Sequence, residues 1–173
     1  MTFSVAIAGR PNVGKSSLLN SLTGSGVLVE NALFATLDPT TRRAALDDGR
    51  EYVLTDTVGF VRDLPHHLVA SFRSTLAEAL HANLLIHVVD AAHPDALDQV
   101  EAVTRVLSEL GAEPERIVGA LNKCDQLNEP ATLAELRTRF SSAVTISAHT
   151  GEGLDKLADA LKQLDPSKTY VMH

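Results

Sequence analysis

Residues 9–16 read GRPNVGKS and have the spacing of a phosphate-binding loop. Gly9 and Gly14 permit backbone angles that a Cβ would oppose, so successive N–H groups can turn toward phosphate oxygens. Lys15 can place a positive charge on the β and γ phosphates, and the Ser16 hydroxyl can ligate Mg²⁺. We therefore predict a nucleoside triphosphate site. The expected contacts in this part of the chain are Gly9, Arg10, Pro11, Asn12, Val13, Gly14, Lys15, Ser16 and Ser17.

A second motif, Asp56-Thr57-Val58-Gly59, follows an apolar stretch that ends at Thr55. A carboxylate at the carboxyl end of a parallel strand lies beside the phosphate loop, where it can hold a water of the Mg²⁺ shell. Gly59 can bring its backbone N–H close to a γ phosphate. We therefore expect Asp56, Thr57, Val58 and Gly59 to contact the nucleotide or its metal.

Two later motifs predict which base is bound. In Asn122-Lys123-Cys124-Asp125, the Asp125 carboxylate can accept hydrogen bonds from N1–H and the exocyclic amine of guanine, which adenine does not offer. Such a bidentate pair discriminates by about 10⁴ or more, because the wrong base leaves buried polar groups unpaired. The Lys123 stem can lie over the base, and Asn122 can tie this loop to the phosphate loop. In the later motif Ser147-Ala148-His149, backbone N–H groups can reach the guanine O6.

These motifs require strands and helices that place them at one edge of a sheet. Apolar runs predict strands at residues 3–8, 52–55, 84–89, 117–121 and 143–146, with helical patterns between most of them. Residues 43–46 and 51–54 flank an Asp-Gly turn and predict an antiparallel hairpin. We therefore expect an α/β fold of the P-loop NTPase class, with three αβα layers. Its six-stranded sheet would be mostly parallel, with the hairpin at one edge.

Two helices have clear signals. Apolar side chains recur at helical spacing between Pro94 and Gly111, and again over residues 154–161. We assign residues 1–164 to one GTPase domain and residues 165–173 to a tail or linker.

Composition narrows the class of protein. A chain of 173 residues makes one domain, and its single cysteine, Cys124, excludes a disulfide framework. The net charge of −7 argues against a general nucleic-acid-binding surface. No apolar stretch is long enough to span a membrane, and the start lacks a secretory signal, so we expect a cytoplasmic protein. We also expect the isolated domain to be a monomer.

The order of the four motifs resembles the translation-factor-related GTPases over essentially the whole chain. Residues 34–43, FATLDPTTRR, and 55–65, TDTVGFVRDLP, look like the two switches of the HflX family, whereas the phosphate loop is more similar to that of the Era and Der GTPases. The resemblance implies a ribosome-associated GTPase domain flanked by further domains, with the large ribosomal subunit as partner. It also implies that Phe34, Ala35, Thr36, Leu37 and Asp38 contact GTP or GDP.

The metal and catalytic roles follow partly from chemistry and partly from this resemblance. Thr36, Thr40 and Thr41 all carry a hydroxyl that could complete the Mg²⁺ shell, and the family pattern favours Thr36. The predicted metal ligands are thus Ser16, Thr36 and Asp56, and the predicted catalytic residues are Lys15, Thr36, Gly59 and Asn12.

Hydrolysis is expected to be slow. The residue after Gly59 is Phe60, which cannot orient a water by hydrogen bonding. Asn12 resembles a K⁺ ligand in GTPases with this loop, and a cation there would offset charge on the γ phosphate, but it can equally be a residue that braces the loop. A non-catalytic GTP-dependent switch is therefore an alternative. A small-molecule kinase that uses ATP fits residues 122–125 poorly.

The segments 25–43 and 59–72 are expected to order on the γ phosphate and to relax after hydrolysis. The basic side chains Arg42, Arg43, Arg62 and Arg73 flank them and could meet a phosphate-rich partner.

Overall fold

The structure is a computed structural model that describes residues 3–9, 14, 17–18, 21–22, 40–45, 51–56, 83–109, 111–123, 125 and 130–164. Within these ranges, residues 3, 40–45, 51, 55, 56, 130 and 164 are described by their backbone.

Six strands form one sheet in the order β2-β3-β1-β4-β5-β6. They are β1 (Phe3–Ala8), β2 (Thr40–Ala45), β3 (Glu51–Asp56), β4 (Leu84–Asp90), β5 (Ile117–Asn122) and β6 (Ser142–Thr145). All neighbours pair in parallel except β2 and β3, which are antiparallel. The predicted mostly parallel sheet with one antiparallel edge hairpin is confirmed.

Three α-helices have described bounds: α1 (Ala96–Glu109), α2 (Pro130–Arg137) and α3 (Leu154–Leu164). A short 3₁₀ helix spans Pro114–Arg116. Residues 17, 18, 21 and 22 are also helical, directly after the phosphate loop. No helix among the described residues is both long and apolar enough to cross a membrane.

The sheet separates two apolar cores, because successive strand side chains point to opposite faces. On one face, Leu18 and Leu157 pack with Ile7 and Ala120. On the other face, Val100 of α1 and Leu136 of α2 pack with Val89 of β4 and Leu121 of β5. Helices therefore cover both faces, which agrees with the predicted three-layer αβα arrangement.

The element bounds differ from the sequence prediction mainly in the hairpin. β2 begins at Thr40 rather than at residue 43, so part of the segment 25–43 that we assigned to the first switch is strand. Its polar start, Thr-Thr-Arg-Arg, has no apolar alternation, and pairing to β3 extends it instead. β6 lies one residue earlier than predicted, at Ser142–Thr145. The Asp-Gly turn and the tail at 165–173 lie outside the described residues.

His87 of β4 is a buried polar side chain within this sheet. It is 2 % exposed, its Nδ1 has no hydrogen-bond partner among the residues that the structure describes, and its ring meets Phe140 edge to face with centroids 5.2 Å apart. Burial lowers the pKa of His87 to about 4, because the charged imidazolium would lose its solvation. The ring is therefore neutral at physiological pH.

Candidate functional site

The carboxyl ends of β1, β3, β4, β5 and β6 lie at the same edge of the sheet, because these strands run parallel. Ligands of open α/β sheets bind outside this edge. β1 leads into the phosphate loop, and β3 ends on Asp56, which is opposite Ile7 in the register. Asp56 is thus the last strand residue rather than the first residue after the strand. Its backbone lies beside β1, the strand that precedes the phosphate loop, and its approach to that loop stays a prediction.

Gly14 is the best-described residue of the phosphate loop. Its φ of 99° lies in the left-handed region that favours glycine. Its carbonyl accepts a hydrogen bond from Leu18 N (2.9 Å), so a helical turn begins directly after the loop. Backbone N–H groups at such a helix start suit a phosphate. Gly9 is buried at the end of β1.

Asn122 contacts both the phosphate loop and the loop after β6. It is the last residue of β5 and is 3 % exposed. Its Oδ1 accepts a hydrogen bond from Ala148 N (2.9 Å). Its Nδ2 fills the space that a Cβ on Gly14 would need. Asn122 therefore touches both loops, and its role in nucleotide binding stays a prediction.

The Asp125 carboxylate is oriented by the loop after β6. Ser147 Oγ donates to Asp125 Oδ1 (2.9 Å) and accepts a hydrogen bond from Thr150 N (3.2 Å). Ser147 is fully buried, whereas Asp125 is exposed. The carboxylate is therefore held by one of its oxygens at the surface, where a base can reach it.

The loop after β6 is fixed by the chain around it. Ser147 N donates to Glu152 O (2.9 Å), and Gly151 N donates to Ser147 O (2.8 Å). Gly153 has a φ of 79°, and a Cβ there would overlap the Thr145 carbonyl. Only glycine suits this position, which lets α3 begin directly behind the loop.

Two residues at this edge escaped the sequence analysis. Asp90, the last residue of β4, accepts a hydrogen bond from Lys123 Nζ at Oδ2 (3.0 Å). Ser21 Oγ, in the helix after the phosphate loop, donates to Ala148 O (3.1 Å). Asp90 could have been found by the rule that singled out Asp56, because it also ends an apolar strand. Ser21 carries no such signal.

The remaining predicted site residues lie outside the described part of the chain. They are residues 10–13, 15–16, 34–38, 57–59 and 124. Ser17 is half-buried in the helix after the phosphate loop, and His149 is exposed beside Ala148. Among the described residues, no group of three or more His, Cys, Asp or Glu side chains could hold a metal ion.

Comparisons with known proteins agree with this arrangement. Residues 4–123 match the family model described as 50S ribosome-binding GTPase. The chain is 48% identical over 164 residues to a GTPase HflX of Chlamydia pneumoniae, covering 95% of this chain and 35% of that protein. It is 43% identical over 162 residues to the GTPase HflX of Escherichia coli (strain K12), covering 92% of this chain and 38% of that protein. The resemblance to HflX is confirmed, and the chain spans under two-fifths of the length of these two relatives.

Solved structures share the fold. A GTP-binding protein of the archaeon Sulfolobus solfataricus in complex with GDP has a TM-score of 0.75 and 30% identity, covering 94% of this chain and 52% of that one. A structure of Era with MgGDPNP and a segment of 16S ribosomal RNA has a TM-score of 0.78, covering 95% of this chain and 57% of that one. Its 23% identity supports a shared fold alone.

Proposed function

Since the chain belongs to the 50S ribosome-binding GTPase family, we propose that it binds GTP, hydrolyses it slowly to GDP and phosphate, and acts as a ribosome-associated switch. Residues 1–164 would be the GTPase domain of a longer HflX-like protein. The observation that carries this proposal is the joining of Gly14, Asn122, Ala148, Ser147 and Asp125 by direct contacts at one sheet edge.

Guanine would bind between Asp125 and the loop after β6. Ser147 Oγ donates a hydrogen bond to Asp125 Oδ1. The remaining lone pairs of the carboxylate can accept from N1–H and the exocyclic amine. The Ala148 amide, the candidate partner of guanine O6, already donates to Asn122 Oδ1. A base that uses this amide would share it with Asn122 or displace that hydrogen bond. The proposed contacts here are Asn122, Lys123, Cys124, Asp125, Ser147, Ala148 and His149.

The phosphates would lie on residues 9–17, with the switch residues 34–38 and 56–59 closing over them. The Ser16 and Thr36 hydroxyls and the Asp56 carboxylate would hold Mg²⁺, and this set of hard oxygen donors suits the ion. The HflX pattern favours Thr36 over Thr40 and Thr41, which lie within β2 opposite Asp56 and Thr55. When bound, Mg²⁺ would offset negative charge on the β and γ phosphates.

Turnover would rest on positioning and charge. Lys15 and the amide of Gly59 would stabilise the γ phosphate, whereas Phe60 offers no hydrogen bond to an attacking water. Asn12 is proposed as a K⁺ ligand that supplies further positive charge. These roles predict slow hydrolysis that K⁺ accelerates.

The partner proposed from the family is the large ribosomal subunit. We further propose that the domain is monomeric and acts in the cytoplasm. The basic residues Arg42, Arg43, Arg62 and Arg73, in or next to the two proposed switch segments, would supply positive charge for ribosomal phosphates despite the acidic total charge.

GTP turnover by the chain tests this function. Phosphate release is measured for the wild type and Lys15→Ala, in K⁺ or Na⁺ buffer, with and without purified large ribosomal subunits. We expect slow release by the wild type, an increase with K⁺ or ribosomal subunits, and none from Lys15→Ala.

Phe60 favours a second candidate, a GTP-dependent binding switch with negligible turnover. Tight GTP binding without phosphate release under every condition would support that switch and exclude the hydrolase.

A further inference from the structure

We propose that Asp90 is a positioning residue for the base: it holds the Lys123 ammonium so that the stem of Lys123 lies where guanine binds. This inference rests on the proposed GTP site and adds a residue to it. Asp90 itself would not touch the nucleotide.

The Asp90 carboxylate is fixed through both of its oxygens. Oδ2 accepts from Lys123 Nζ at 3.0 Å, and Oδ1 accepts from Ala92 N at 3.1 Å. Its side chain is only 13 % exposed, and that of Lys123 is 31 % exposed. A carboxylate held in this way offers one fixed position for the ammonium, rather than the range of positions open to a surface lysine.

The backbone of Lys123 is held by the same turn. Ala91 N donates to Asn122 O (3.0 Å), which fixes the peptide group that precedes Lys123. Lys123 itself has a φ of 64°, the one left-handed residue other than glycine among those that the structure describes. A residue other than glycine keeps this strained backbone conformation only where the surrounding structure imposes it. Residues 90–92 thus fix both the start and the tip of the Lys123 side chain.

This ion pair differs from an ordinary surface pair. Arg139 Nη2 and Glu101 Oε1 are 3.3 Å apart, and the two side chains are 42 % and 50 % exposed. This pair joins α1 to the residues just after α2. Such exposed ion pairs contribute little to the stability of the fold. The pair of Asp90 and Lys123 is better shielded and ends on a base-binding residue. Loss of Asp90 should therefore change nucleotide affinity as well as stability.

The test compares GDP affinity and thermal midpoint for the wild type, Asp90→Asn, Lys123→Met, the double variant and Glu101→Gln. Asp90→Asn keeps an oxygen for Ala92 N and removes the charge. We expect it to weaken GDP binding about fivefold to tenfold. Lys123→Met keeps the stem and removes the ammonium, so the double variant should bind GDP no worse than Lys123→Met alone. Glu101→Gln removes the same charge from the exposed pair and should leave GDP affinity unchanged.

Each outcome decides between readings. If Asp90→Asn lowers the thermal midpoint while GDP affinity stays at the wild-type value, Asp90 is merely structural and the proposal is overturned. If the double variant loses the GDP affinity lost by Asp90→Asn in addition to that lost by Lys123→Met, Asp90 does not act through the lysine. That result also overturns the proposal. If the wild type binds no GDP, the GTP site itself is wrong, and both proposals are overturned. Should Asp90→Asn not fold, Asp90→Glu keeps the charge and moves the carboxylate, and unchanged GDP affinity would overturn the positioning role.

Discussion

Gly14 and Asn122 are in direct contact: the amide nitrogen of Asn122 occupies the space in which a Cβ on Gly14 would lie. The phosphate loop and the end of β5 are therefore packed against each other without room for a methyl group. The proposed phosphate site and the proposed base site meet at this point. Changes at either residue should affect both sites.

Gly14→Ala is expected to lower the free energy of unfolding and to weaken GDP binding by tenfold or more, about 1.4 kcal/mol. The new methyl group would displace Asn122, and alanine at a φ of 99° costs ~1–2 kcal/mol in addition. Urea unfolding and calorimetric titration with GDP measure the two effects.

Gly111→Ala is the matched control for that substitution. Gly111 has a φ of 89°, but a Cβ there would meet nothing within 4 Å. Gly111→Ala should lose only the ~1–2 kcal/mol of stability that backbone strain costs, and it should keep the wild-type affinity for GDP. Equal GDP affinities for the two variants would show that the contact with Asn122 has no part in binding.

Asn122→Ala should cost about 1–3 kcal/mol of stability and reduce GDP affinity, since it leaves the Ala148 amide without its acceptor. Asn83→Ala provides a comparison at the opposite edge of the sheet, where Asn83 Oδ1 accepts from Ser4 N (3.0 Å). Both variants remove an acceptor from a backbone amide. Only Asn122→Ala should change GDP affinity, and a similar loss from Asn83→Ala would mean that general destabilisation weakens binding.

Asp125→Asn should reduce GDP affinity about 100-fold or more and improve binding of xanthosine diphosphate. The amide oxygen can still accept from N1–H of either base, but the amide N–H can donate to the xanthine oxygen that replaces the exocyclic amine, whereas in guanine it faces the hydrogens of that amine. Ser147 Oγ can still donate to the amide oxygen, so the side chain should keep its position. Asp98→Asn, an exposed carboxylate in the first turn of α1, removes the same charge and should change neither affinity. Undiminished GDP binding by Asp125→Asn would remove this residue from the base site.

Stability should decrease as the pH falls from 6.5 toward 4. The pKa of His87 is about 4 in the folded protein, below its ordinary value of 6.5, so the unfolded chain binds the proton first. The stability that comes from keeping His87 neutral is fully present above pH 6.5. At pH 4 the free energy of unfolding should be lower by ~3 kcal/mol, given a pKa shift of this size. Urea unfolding across this range should show a smaller slope for His87→Leu than for the wild type. Parallel slopes would assign the pH dependence to carboxylates instead.

Local signals were enough to locate most of the sheet. β1 was predicted at its observed bounds, because Val5 to Ala8 form a continuous apolar run followed by a glycine. The start of β2 was missed, because Thr40 and Thr41 enter the strand by pairing with β3 and not through an apolar pattern of their own. Edge strands of this kind are specified by their neighbours.

The same distinction applies to the site. Asp125 could be predicted from sequence because its carboxylate matches the donors of guanine, and Asn122 because it stands in the same motif directly after an apolar stretch. The roles of Asp90 and Ser21 depend on contacts with Lys123 and Ala148, which are distant in the chain. A single sequence does not contain that pairing, since it arises only when the parallel strands are brought side by side.

The hydrogen bond from Ser21 to the Ala148 carbonyl also bears on synthesis of the protein. It joins residues 127 positions apart, and Ala148 is in turn the donor to Asn122. Contacts of such long range form only after both segments are available. A nascent chain that ends before residue 148 would carry the phosphate loop and Asp125 without the loop that braces them, so nucleotide retention should begin only once that loop has left the exit tunnel.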